Sequence, residues 1–113
     1  MDNNYTLDKI IKYGGPEFEY YYLKSKICND HNYMSKCFSI LLELIKKESD
    51  VIAKGYILAF AYHNMDFLNN YPKFKNSVIL KISEFIDDTK NKTDNPAYET
   101  VYKLCLELQE KIK

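Results

Sequence analysis

The chain has no arginine and no tryptophan, and only three glycines, three prolines and three cysteines among its 113 residues. Each shortage excludes something. Arginine's planar fork is the favoured group for clamping phosphate and reading guanine edges, so a chain whose 16 cations are all lysine is poorly equipped for sequence-specific nucleic-acid recognition. Sixteen anions balance those cations, so no basic field strengthens the case. The only glycine pair, Gly14-Gly15, runs into Pro16 and lacks the lysine spacing of a phosphate-binding loop. Three irregularly spaced cysteines cannot make a disulfide framework, which agrees with a reducing compartment. No apolar run reaches the roughly 18 residues of a membrane span, and "MDNNYTLDK" has no basic patch followed by an apolar stretch. The expected location is the cytoplasm, with no membrane contact.

What the sequence does have is helical periodicity over a length suited to one domain, residues 1–113. A short first helix is expected over residues 7–13, with Thr6 as N-cap, Leu7, Ile10 and Ile11 as its stripe, and Gly14 as its stop. Pro16 then opens a second helix over residues 16–28, which "NDHN" breaks. The third, over residues 33–47, places Tyr33, Cys37, Phe38, Ile40, Leu41, Leu44 and Ile45 on one side, against Ser35, Ser39, Glu43 and Lys46 on the other. "KESD" makes a tight turn with Ser49 or Asp50 as cap. The fourth helix, "VIAKGYILAFAYHN", carries only Lys54 as a charge and is apolar all round, so it belongs at the centre of the fold. Its small residues Ala53, Gly55, Ala59 and Ala61 would let neighbours approach closely.

"MDFLNNYPK" reads as a connector with one helical turn around Phe67. A fifth helix over residues 74–88 points Phe74, Val78, Ile82, Phe85 and Ile86 inward and leaves Leu80 on its polar side. "DDTKNKTDN" is a polar surface loop, and Asn95 with Pro96 starts the last helix, whose core stripe is Val101, Leu104, Cys105, Leu108 and Ile112. The fold class is therefore all-α: five main antiparallel helices plus a short N-terminal one, arranged as HEAT-like helical hairpins or as a compact helical bundle.

"SDVIAKGYILAFA" resembles the second helix of a HEAT repeat, with an acidic N-cap at Asp50, a basic residue at Lys54 and small and aliphatic residues through Ala59. The resemblance covers one hairpin, Tyr33 to Asn64. In size and style the chain looks like the bacterial immunity or antitoxin-type inhibitors built from HEAT-like helices. That resemblance implies stoichiometric blocking of a toxin domain by occlusion, with no catalysis.

The residues themselves offer little to an enzyme. Cys28, His31, Cys37 and His63 are chemically suited to zinc, but structural zinc sites use tighter paired spacings and Cys37 lies on an apolar stripe, so no metal or other cofactor is expected. Cys37 and Cys105 read as small hydrophobes, and Cys28, though near His31, reads as a helix-end residue beside a polar turn. Asp87 and Asp88 are adjacent and have no apolar pocket to raise a pKa. A nucleic-acid-binding factor using the lysines at 73, 75, 90 and 92 around Tyr71 and Phe74 is the rival from another class, and a phage-encoded inhibitor of a host defence complex is a second protein-binding alternative.

The triple tyrosine in "EFEYYYLKSKIC" carries the binding expectation. On a helical wheel Tyr20, Leu23 and Ile27 form one apolar arc, and Phe18, Tyr21, Tyr22 and Cys28 form the opposite one. Glu17 with Lys24, and Glu19 with Lys26, mark the polar seams between the arcs. Tyrosine suits a partner-facing position, because its large apolar ring ends in a hydroxyl that tolerates water. The arc expected to be exposed to a protein partner is Phe18, Tyr21 and Tyr22, flanked by Glu19 and Lys26. Oligomeric state is left open.

Overall fold

A computed structural model describes residues 5–28, 30–47 and 51–112. They form α1 (Leu7–Cys28), α2 (His31–Lys47), α3 (Val51–His63), α4 (Met65–Asn70), α5 (Pro72–Thr89) and α6 (Pro96–Lys111), with no strand among them. The expected caps Ser49 and Asp50, and Asn29 of the "NDHN" break, lie outside the described residues.

The first two expected helices lie end to end within α1, divided by the non-helical residue Gly15. Thr6 caps α1 as the sequence suggests: its hydroxyl accepts from the Lys9 amide at 3.4 Å and its carbonyl from the Ile10 amide at 3.0 Å. The bend falls at Gly15 (φ 90°, ψ −179°) and not at Gly14. That conformation is essentially restricted to glycine, and Pro16 at once restarts the helix with its fixed φ. Gly14 has a different role, since a Cβ there would overlap the ring of Phe18.

Helix α3 is the centre of the molecule. It packs against α1, α2, α4, α5 and α6, and Val51, Ala53, Ile57, Leu58, Ala59, Phe60 and Ala61 are all buried. A helix apolar on every side cannot leave a face in water, so the others assemble around it. Its glycine does what the sequence suggests: the Tyr5 ring lies over Gly55, where any Cβ would strike it, and meets Tyr56 edge-on at 5.4 Å. Phe60 gathers rings from the two helices before it. Phe18 of α1 meets it at 5.1 Å and Phe38 of α2 at 4.9 Å, while Phe38 stacks on Phe67 of α4 at 5.5 Å.

Several boundaries are longer than periodicity suggests. Helix α2 starts at His31 and not Tyr33, and Met34 belongs to its buried face. Pro72 opens α5 instead of closing the connector, as its missing amide hydrogen allows. The supposed loop "DDTKNKTDN" begins later than expected, because α5 continues through Thr89, which is fully buried. The Thr89 hydroxyl donates to the Phe85 carbonyl at 2.6 Å, and this internal hydrogen bond is what lets a polar residue lie inside. Asn95 caps α6 as expected, accepting from the Ala97 amide at 3.0 Å ahead of Pro96. Leu80 points outward, 66% exposed.

Candidate interaction face and the placement of the reactive residues

The second half of α1, residues 16–28, buries the arc that was expected to be exposed. Phe18 is 0% and Tyr22 8% exposed, whereas Tyr20, Leu23 and Ile27 are 50%, 52% and 79% exposed. Phe18 and Tyr22 both meet Phe60 of α3, at 5.1 and 5.8 Å, so the ring cluster of the core takes that side of the helix. Cys37 of α2 adds a weak tie, its thiol donating to the Phe18 carbonyl at 3.8 Å. Tyr21 is half-buried, stacked 6.2 Å from Tyr33 with the Lys36 ammonium 4.8 Å over its ring. Glu19 and Lys26 are exposed, as anticipated.

The outer face is therefore a stripe of Pro16, Tyr20, Leu23 and Ile27 bordered on one side by Glu17 and Lys24 and on the other by Glu19 and Lys26. Tyr20, Leu23 and Ile27 form the arc that sequence reasoning turned toward the core. Both arcs carry similar apolar character, so the wheel alone could not choose between them. The available signal was Gly14, four residues before Phe18: a missing side chain at that spacing marks where the Phe18 ring is pressed against its own backbone.

The potential nucleophiles are dispersed. Burial pushes the Cys37 and Cys105 thiols up to about 12, with Lys26 pulling weakly the other way on Cys37. Neither supplies a thiolate near neutral pH. Cys28 is exposed. Among the described residues no three His, Cys, Asp or Glu side chains converge as metal ligands. The two histidines do border one open polar cleft of about 480 Å³, shared by Lys26, Asp30, Asp66 and Asn64. His31 leans on Tyr71 at 4.9 Å, and partial burial lowers the His63 pKa.

Asp87 and Asp88 each meet a lysine, Lys90 at 3.3 Å and Lys54 at 2.8 Å, an arrangement of structural ion pairs. Of the four lysines that could serve nucleic acid, three have side-chain contacts of their own: Lys90 with Asp87, Lys73 over Phe74 at 5.6 Å and Lys92 over Tyr98 at 5.2 Å. No helix among the described residues is long and apolar enough to cross a membrane. No family model, no curated protein and no solved structure matches the chain.

Proposed function

We propose that the chain is a non-enzymatic protein-binding module, a small inhibitor of the toxin-immunity type that acts by covering the surface of a partner protein in a stoichiometric complex. The observation that carries this reading is the outer face of α1, where Tyr20, Leu23 and Ile27 leave half or more of their area in water. A rigid helix with one unpartnered apolar stripe is a common way to recognise a protein surface, and tyrosine and aliphatic anchors supply most of the energy at such contacts. The charges at its borders, Glu19 and Lys26 among them, would form the polar rim of the contact.

Immobilised protein in a native-like lysate at mild salt should retain a stoichiometric protein partner. The Leu23→Glu/Ile27→Glu variant should lose at least tenfold of that capture, while Leu80→Glu, on an exposed site of α5, should retain it. Failure of the wild type to retain any such protein, or equal capture by the stripe variant, overturns the reading.

A further inference from the structure

The charges that border the α1 stripe are arranged to fit the same stripe on another molecule. Glu17 and Lys24 lie on one border and Glu19 and Lys26 on the other, each pair seven residues apart. Seven residues is about 10 Å along a helix, too far for either pair to close on itself. None of the four forms an ion pair among the described residues, although five other lysines do. The Lys24 and Lys26 ammoniums lie over the Tyr20 and Tyr22 rings of their own helix, at 5.8 and 5.1 Å, contacts that leave their charge without a carboxylate.

We infer that this face takes a second copy of the chain, the two α1 helices crossing antiparallel about a two-fold axis. The inference rests on the reading of the face as a docking surface and names its occupant in the free protein. A two-fold axis perpendicular to both helices reverses each border and lays it on its own copy. Glu17 then meets Lys24 of the second copy, and Glu19 meets Lys26, each twice by symmetry. The same register, centred between Tyr21 and Tyr22, sets Tyr20 over Leu23 of the second copy and Ile27 over its Pro16. Every exposed apolar residue of the stripe is matched, and all four charges are matched with the opposite sign.

A parallel mate does the reverse. It brings the two different borders together, with Glu17 near Glu19 and Lys24 near Lys26, like against like. The charge order along α1 therefore selects the antiparallel partner as well as permitting it. The spacing of Tyr20, Leu23 and Ile27 is the three-four step that lets one helix seat in the groove of another. Because the face spans only residues 16–28, the contact lies at the small end of specific interfaces and should be reversible. A heterologous partner that uses the same face competes with it.

Sedimentation velocity at low salt on the full chain tests the inference. The weight-average mass should rise from 13.4 kDa toward twice that value as concentration increases over about 10 μM to 1 mM. Glu17→Lys/Glu19→Lys and Lys24→Glu/Lys26→Glu should each stay monomeric, with at least tenfold weaker self-association and unchanged helicity by circular dichroism. Mixed in equal amounts they should form a one-to-one dimer, since their borders are again opposite. Glu17→Lys alone should weaken the wild-type dimer. Wild-type protein that remains monomeric at 1 mM, charge variants that dimerise like wild type, or a mixture that stays monomeric each overturn the inference. If the wild type is monomeric yet captures a partner that the Leu23→Glu/Ile27→Glu variant loses, only the second-copy assignment fails. If it is monomeric and captures nothing through the stripe, the docking reading fails with it.

Discussion

Two adjacent glycines show how differently one residue type can be used. Gly14 is needed for space, because Phe18 occupies the volume of a Cβ, while Gly15 is needed for its backbone and has no neighbour within 4 Å of where a Cβ would stand. Substitution at Gly15 therefore isolates a conformational cost with no steric contribution. Alanine forced into φ 90°, ψ −179° should lower stability by about 1–3 kcal/mol. Urea unfolding of Gly15→Ala should show that loss as a lower midpoint with an unchanged slope. An equal midpoint would mean that the α1 bend is not held in this conformation in solution. Part of this was legible in the sequence, since Gly-Gly-Pro announces a break and a restart. Which glycine carries the positive φ was not, because that depends on how far the first helical turns run before Pro16 stops them.

At the scale of elements, the sequence was most informative where one side of a helix dominates or where no side is polar. Helix α3 is the clearest case: an almost uncharged run with small residues specified both its central place and its close neighbours. Its alanines are packed without slack, as Ala59 and Ala61 are completely buried. Ala59→Leu should cost about 1–3 kcal/mol by overpacking, whereas Leu80→Ala on the exposed side of α5 should stay within about 0.5 kcal/mol of wild type. Thermal melts of the two variants check this, and similar melting temperatures would contradict the central placement of α3. Legibility fails in the second half of α1 for a physical reason. Two opposed apolar arcs of similar strength fix the helix but not its rotation, and the rotation is set by long-range contacts from Phe18 and Tyr22 to Phe60, which local periodicity does not contain. The seam charges were readable, yet their meaning depends on which arc lies between them at the surface. The same limit applies to Thr89, whose burial follows from the path of α5 and not from its polar neighbours.

For the molecule as a whole, burial opposes the ionisation of three acids, Cys37, Cys105 and Tyr22, and this gives folding a direction at alkaline pH. Burial raises Cys37 and Cys105 from an ordinary 9.0 to about 12. It also raises Tyr22 from 10.0, with the neighbouring Cys37 adding to the effect. In the unfolded chain these groups lose their protons at their ordinary values, while in the folded protein they keep them. Between pH 9 and about 12 the native state therefore holds more protons, and stability must fall as pH rises through that window. Below pH 9 their contribution is fully present and flat. Each thiol can add at most about 1.4 kcal/mol of lost stability per pH unit within the window. Urea midpoints measured from pH 7 to 10.5 should be level at first and then decline. In Cys37→Ala/Cys105→Ala the absolute stability will be lower from the lost packing, but the decline should be shallower and begin later, with Tyr22 as the remaining buried acid. An identical slope in both proteins would show that the two thiols are open to water, and that the core around Phe18 and α3 is looser than this arrangement requires.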